Sequence, residues 1–184
     1  MSRRHEVTIF AVTASATTNL IHLVCGSTGA GKTTYALALT ERIGGVRFSI
    51  DEWMSALYWM DTPKPLIPEW SLERVARCTS QIWSTAAQVA ARGVPCVLDI
   101  GFSTARSRAD IADLAGAAAL SVQLHFIDVP ADEPWRRVRA RNAERGATHQ
   151  LPFAVTREMF DFVETMFERP TEGEMTRWSG VKIS

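Results

Sequence analysis

The chain has 184 residues, of which 46% are hydrophobic and 22% charged, and its formal net charge is zero. These values are typical of one globular domain with a substantial core. They exclude a global field that would attract nucleic acid or a membrane surface, so any anion must be bound by a local arrangement. The three cysteines are scattered and form no CxxC pair, which favours reduced core residues and a cytoplasmic protein.

The N-terminus predicts an extension over residues 1–18, followed by a single domain over residues 19–184. Arg3 and Arg4 precede a short apolar stretch at 7–12, a weak secretory signature. That stretch contains a threonine and follows Glu6, so we interpret it as an extra strand or a loose leader. No stretch is long enough to form a membrane-spanning helix.

A phosphate-binding loop is predicted directly after the first apolar strand, residues 20–25. The sequence GSTGAGKT fits G-x-x-x-x-G-K-[ST], and a helical pattern follows over residues 32–43. Backbone N–H groups in such a loop face one anion, and the helix adds the positive end of its dipole. The predicted phosphate-binding residues are Gly26, Ser27, Thr28, Gly29, Ala30, Gly31, Lys32, Thr33 and Thr34.

Strand and helix patterns alternate along the rest of the chain. Strands are predicted at 46–50, 95–100, 122–128 and 181–183, and helices at 52–60, 72–92, 104–117, 131–145 and 154–168. Ser71 and Ser103 are the predicted caps of two of these helices. The alternation predicts an α/β fold with a parallel sheet covered on both faces, and a ligand at the carboxyl ends of its strands.

Two carboxylates stand at predicted strand ends. Asp99 closes an apolar strand, where a carboxylate can hold Mg²⁺, although it could also cap the following turn. Asp51 follows the second strand and could accept the proton of an attacking hydroxyl. An equally good interpretation makes Asp51 the N-cap of the helix at 52–60.

The predicted helix at 131–145 is rich in arginine. Arg137, Arg141 and Arg145 are four residues apart and share one face, whereas Arg139 lies off that stripe. A solvated basic face is the usual explanation of such a pattern. Beside a phosphate-binding loop, the same stripe could serve as a lid that places guanidinium groups on phosphates.

Aromatic residues cluster around the proline-rich segment at 62–68. They are Trp53, Tyr58, Trp59 and Trp70. Packing of a small subdomain is the favoured interpretation, and a wall of an acceptor pocket is the alternative.

Four segments together resemble a known family. GSTGAGKTT, FSIDEW, VLDIGFSTARSR and HFIDVPADEPWRRVRARNAER, in this order, resemble the small P-loop kinase-like ATPases, which are grouped with zeta toxins, chloramphenicol phosphotransferase and the polynucleotide kinase type. The resemblance covers roughly residues 20–170. It implies a three-layer P-loop NTPase fold with strand order 2-3-1-4-5 and an arginine-bearing lid over ATP.

The resemblance also implies roles for particular residues. Asp51 matches the family's catalytic base, and Arg137 and Arg141 match a lid pair at R-x-x-x-R spacing. The segment from Asp99 resembles the family's D-x-N-x-S pattern, with Gly101 in place of the asparagine. Either Arg106 or Arg108 matches the basic residue that follows this pattern.

The resulting hypothesis is a kinase that moves the γ-phosphoryl group of ATP to a hydroxyl of a small molecule. Asp51 would be the base, Lys32 and Arg141 would stabilise charge, and Thr33 and Asp99 would hold Mg²⁺, while Trp53 and Arg106 would contact the acceptor together with Asp51. The alternative is an ATPase that acts as a nucleotide-dependent switch on a protein partner. A nucleic-acid acceptor is disfavoured because no basic groove with interleaved aromatics is visible.

Overall fold

A computed structural model describes residues 20–65, 67–130, 132–144 and 154–184. The predicted extension at 1–18 and the predicted lid residue Arg145 lie outside these ranges. The described residues form five β-strands: β1 (Leu20–Gly26), β2 (Val46–Ser49), β3 (Cys96–Asp99), β4 (Ser121–Ile127) and β5 (Val181–Ile183).

The strands form one parallel sheet of order β2-β3-β1-β4-β5. Its strand order confirms the predicted 2-3-1-4-5 arrangement. All five strands point the same way, so β1, β2 and β3 end together at one edge of the sheet. That edge carries the phosphate-binding loop after β1 and the two candidate carboxylates.

In the described ranges, seven α-helices connect and cover the strands. They are α1 (Lys32–Ile43), α2 (Ile50–Tyr58), α3 (Pro68–Ala90), α4 (Ala105–Ala117), α5 (Glu133–Glu144), α6 (Arg157–Thr165) and α7 (Glu172–Arg177), and a short 3-10 helix (Trp59–Asp61) follows α2.

Both faces of the sheet are buried, because alternate side chains of β1 enter two different cores. Leu23 and Cys25 belong to the larger core, which also contains Ile82 of α3 and Ile111 of α4. Val24 belongs to the smaller core, under α1, with Ala36, Leu39, Val97 and Ile127. Helices on both faces therefore explain why β1 is almost entirely apolar and why its one polar side chain, His22, is buried.

Several helix starts differ from the sequence-based expectation. Ser49 caps α2, since its side chain accepts the Glu52 N–H, so Asp51 lies in the first turn and the N-cap interpretation of Asp51 was wrong. The helix α3 begins at Pro68, whose fixed φ suits a first helical position, which leaves Ser71 inside the first turn.

The caps of the later helices differ too. Thr104, rather than Ser103, caps α4 in a capping box with Ser107. The predicted helix at 154–168 is shorter, and the polar segment after Pro170 contains α7, which Thr171 caps in the same way with Glu174.

Helices α5 and α6 share a small core of their own. Val138, Val155 and Phe160 are buried together, with Trp135 partly buried against them. The Asn142 side chain both donates to and accepts from the Val155 backbone, at 2.8 and 3.2 Å. We refer to these two helices as the α5–α6 pair. Within the described residues, no helix is both long and apolar enough to span a bilayer.

Candidate functional site at the phosphate-binding loop

The loop between β1 and α1 requires glycine at two positions. Gly31 is the residue before α1 and has a φ of 100°, a left-handed conformation that costs glycine little. Gly29 has a φ of 82°, and a Cβ there would lie 2.5 Å from the Pro134 carbonyl oxygen and 2.7 Å from Val138 Cγ2. The α5–α6 pair therefore packs directly on the loop, at a distance that only glycine permits.

Lys32 lies folded back over the loop. Its Nζ donates to the carbonyl oxygens of Gly26 and Ser27, at 2.9 and 2.8 Å. Burial lowers the pKa of Lys32, while the charges of Asp99 and Asp51 oppose this shift. The ammonium group is thus held beside the loop and near both carboxylates.

A carboxylate already occupies one backbone donor of the loop. The Thr28 N–H donates to Glu164 Oε1 of α6 at 2.9 Å. Sequence reasoning missed Glu164, because it lies 136 residues further along the chain and has no local signature. The contact shows that a backbone N–H group of this part of the loop can bind a negatively charged group.

Asp51 lies in the first turn of α2 and shares its electrostatic environment with three other predicted site residues. Burial and the negative charge of Asp99 raise the pKa of Asp51, whereas Lys32 and Arg141 act in the opposite direction. The structure therefore brings Lys32, Asp51, Asp99 and Arg141 together at the carboxyl edge of the sheet.

Asp99 is buried at the end of β3 and has an arginine as its partner. Arg47 Nη1 donates to Asp99 Oδ2 at 2.9 Å, and the Arg47 side chain is 9% exposed. Arg47 Nη2 also pairs with Glu52 of α2. Sequence reasoning missed Arg47, which in the alternating pattern of β2 resembles an ordinary solvated strand residue.

The arginines of α5 divide as the helical spacing predicts. Arg137 Nη1 donates to the Ala30 carbonyl oxygen at 2.9 Å. Arg141 is half-buried, and its Nε is a buried donor without a hydrogen-bond partner among the described residues. Arg139 is exposed. Arg137 thus contacts the loop, and Arg141 presents a buried donor that a bound anion could use.

The two other residues predicted to contact the acceptor lie in different surroundings. The Arg106 side chain is 85% exposed and pairs with Asp110, one turn along α4, so the structure places it in solvent. Trp53 packs, partly buried, against the larger core. Arg108, the alternative to Arg106, is fully buried and bonds to the carbonyl oxygens of Phe102 and Glu168 and to Glu174.

The predicted metal ligands suit a magnesium ion that keeps phosphate and water ligands. Thr33 and Asp99 offer a hydroxyl and a carboxylate, both hard oxygen donors. The described residues contain no group of three or more His, Cys, Asp or Glu side chains that could hold a metal by themselves. Mg²⁺ fits such a sparse set, because it usually binds through one or two protein oxygens and substrate phosphates.

Comparison with solved structures shows the same fold in Kti12 and in two kinases. Kti12 of Chaetomium thermophilum, in complex with ADP-AlF3, has a TM-score of 0.63 at 19% identity over 90% of this chain and 88% of its own. A sugar kinase from Janibacter sp. gives 0.57 at 18% identity, covering 89% and 83%. The APS kinase CysC of Mycobacterium tuberculosis, in complex with AMPPNP and APS, gives 0.54 at 17%, covering 83% of each.

No curated protein matches the sequence. The family model AAA_33, described as an AAA domain, matches residues 21–166, which include the phosphate-binding loop, both carboxylates and the α5–α6 pair. The chain therefore belongs to this AAA domain family of P-loop kinase-like proteins.

Proposed function

We propose that the protein is a phosphotransferase that moves the γ-phosphoryl group of ATP, bound with Mg²⁺, to a hydroxyl group of a small molecule. One observation carries this proposal: Asp51, directly after β2, and Asp99, at the end of β3, stand at the same edge of the sheet as the loop on which Lys32 lies. A loop that only bound nucleotide would need the cations, but it would have no use for the Asp51 carboxylate.

The loop and its cations would bind the triphosphate. On binding, Lys32 Nζ would exchange its two carbonyl partners for the β- and γ-phosphate oxygens. The unpartnered Nε of Arg141 would gain an acceptor, and Arg137 lies beside the same loop. Fixed donors of this kind stabilise the charge that spreads over the transferred group.

Asp51 would act on the acceptor. As the acceptor oxygen forms its bond to the γ-phosphorus, the bond to the β–γ bridging oxygen breaks and ADP leaves, while the hydroxyl proton passes to the Asp51 carboxylate. A raised pKa suits this role, because proton acceptance is most efficient when the pKa of the base approaches the working pH.

Thr33 and Asp99 would hold the metal ion. Mg²⁺ bound there would neutralise charge on the β- and γ-phosphate oxygens. Trp53 lies on the same helix as Asp51, and its contact with the acceptor stays a prediction, as does that of Arg106. A cytoplasmic location, where ATP is abundant, completes the proposal.

The decisive test is transfer of the γ-phosphoryl group by Asp51→Asn. The variant keeps the shape of the side chain but loses its basicity, so we expect normal ATP binding and at least a roughly hundredfold slower transfer. The acceptor would first be found by screening hydroxyl compounds, such as antibiotics, nucleotide sugars and nucleosides, with labelled ATP.

Two results would contradict the kinase proposal. One is transfer by Asp51→Asn within about threefold of the wild-type rate. The other is ATP hydrolysis without any acceptor-dependent product, which would favour the nucleotide-dependent switch. Calorimetric ATP affinity and circular dichroism serve as controls for binding and folding.

A further inference from the structure

Arg47 is a nearly buried cation on the edge strand β2. Its side chain is 9% exposed, and its guanidinium group lies between two carboxylates, Asp99 of β3 and Glu52 of α2. Arginine is seldom buried without such pairing. The residue is therefore built into the sheet edge rather than left in solvent, and its function depends on its two partners.

The strand register explains how Arg47 reaches Asp99. Ser49 of β2 lies beside Asp99, and Arg47 lies beside Val97, two residues earlier on the same face. The arginine side chain therefore runs along the sheet toward its carboxyl edge. Since β3 lies between β2 and β1, Arg47 approaches Asp99 from the side opposite the phosphate-binding loop.

This geometry gives the two carboxylate oxygens of Asp99 different roles. Arg47 engages Oδ2, so the metal-binding role proposed for Asp99 falls to Oδ1. A charge-assisted hydrogen bond from a planar guanidinium group fixes both the position and the orientation of a carboxylate. Partners of this kind, which hold a metal ligand without touching the metal, commonly set metal affinity.

We propose that Arg47 is a positioning residue for the Mg²⁺–nucleotide complex. It holds Asp99 so that Oδ1 faces the loop, and through Glu52 it joins Asp99 to the first turn of α2, where Asp51 lies. The inference rests on the proposed function, because it takes Asp99 as the metal-binding carboxylate. It adds a residue that links the metal side of the site to the acceptor side.

The test measures how much Mg²⁺ strengthens ATP binding, by calorimetry with Mg²⁺ and with a chelator. In Arg47→Met, which keeps most of the side-chain length but no donor, we expect this gain to fall about 10- to 100-fold. ATP binding in the chelator should stay unchanged, because Arg47 does not contact the loop. Arg92→Met, at an exposed arginine beyond α3, is the matched control and should keep the full gain.

A double-mutant cycle separates positioning from general structural support. If Arg47 acts through Asp99, then Arg47→Met should cause no further loss of the Mg²⁺-dependent gain in an Asp99→Asn background. Glu52→Gln should keep most of the gain, because the contact between Arg47 and Asp99 remains. Additive losses in the cycle would overturn the proposal.

Two other results would also overturn it. An undiminished gain in folded Arg47→Met would show that Asp99 needs no positioning, and a larger gain would show that Arg47 competes with the metal. If Arg47→Met fails to fold, Arg47→Lys decides by the same criterion, since its single flexible ammonium group cannot engage both carboxylates. Failure of the proposed phosphoryl transfer is distinguishable, because it is measured by acceptor-dependent product and leaves the Mg²⁺-dependent gain in ATP binding of the wild type in place.

Discussion

At the scale of single residues, the site contains cationic side chains that lack a negatively charged hydrogen-bond acceptor. Arg141 has a buried Nε without a hydrogen-bond partner among the described residues. Lys32 Nζ donates to two neutral carbonyl oxygens. A buried donor without an acceptor costs free energy, so a bound anion that supplied one would recover it. These two residues are therefore where phosphate binding should gain most.

The arginines of α5 give a prediction at this scale. Arg141→Ala should slow phosphoryl transfer by about 10²-fold, as expected for loss of one fixed donor to a developing charge. Arg139→Ala, two residues away but exposed, is the matched control and should change the rate little. Steady-state kinetics of the two variants would decide, and equal losses would indicate a diffuse basic face instead of a directed contact.

At the scale of secondary structure elements, Arg108 joins α4 to the segments around α6 and α7. It is fully buried, with Glu174 of α7 as its ion-pair partner and two backbone carbonyl oxygens as further acceptors. The residue thus ties together parts of the chain 60 or more positions apart. This contact is structural and explains why Arg108 is not available to an acceptor.

Replacing Arg108 should therefore destabilise the fold. In Arg108→Met, Glu174 keeps its bonds to Thr171 but loses its only ion-pair partner among the described residues while staying largely buried, so we expect the free energy of unfolding to fall by about 3–5 kcal/mol. Arg106→Met, which removes an exposed ion pair two residues earlier, should change it by about 0–1 kcal/mol. Urea unfolding measures both values. Similar values for the two variants would show that the buried ion pair contributes no more to the free energy of unfolding than the exposed one.

Most elements of this fold could be predicted from local sequence patterns. The strand β1, the loop and α1 carry a specific motif, and the other strands show apolar runs or alternation. Helix starts were less predictable, since Ser49 and Thr104 took the capping roles expected of Asp51 and Ser103. Several polar side chains compete near each start, and tertiary packing selects among them.

The contacts that complete the site were not predictable from the sequence. Arg47 finds Asp99 across 52 positions, and Glu164 finds the Thr28 N–H across 136. Such pairs depend on which strands and helices become neighbours, and no local pattern records this. The motif thus predicted the loop and the helix that follows it, while the side chains that surround the loop became visible only in the folded chain.

At the scale of the whole molecule, two histidines are buried between the sheet and α1. His22 Nδ1 lies 2.9 Å from His125 Nε2, and His125 Nδ1 lies 2.8 Å from the Tyr35 hydroxyl. Burial, with the charge of Arg42 adding to it, lowers the pKa of His22 to about 4. Burial also lowers the pKa of His125 to about 4, helped by His22 and Arg42.

These lowered values predict how global stability depends on pH. Between the ordinary histidine pKa of 6.5 and about 4, the unfolded chain binds more protons than the folded chain. The stability contributed by the neutral pair is thus complete above pH 6.5 and is lost as the pH falls toward 4. The expected loss is about 1–3 kcal/mol for each imidazole.

Urea unfolding between pH 7 and pH 4 would measure this loss. The double variant His22→Gln and His125→Gln has no titrating group at these two positions, so its stability should depend less on pH than that of the wild type. Carboxylates elsewhere affect both proteins alike, which makes the difference in slope the informative quantity. Identical slopes would show that the buried pair does not contribute.

The separate core of the α5–α6 pair implies that this part of the molecule has its own opening equilibrium. Three buried side chains hold the pair together, apart from the two cores on the sheet, so its amide hydrogens should exchange through local opening rather than global unfolding. The same pair covers Gly29 and engages Thr28. Apparent nucleotide affinity would then be the intrinsic affinity reduced by the fraction of molecules in which the loop is accessible.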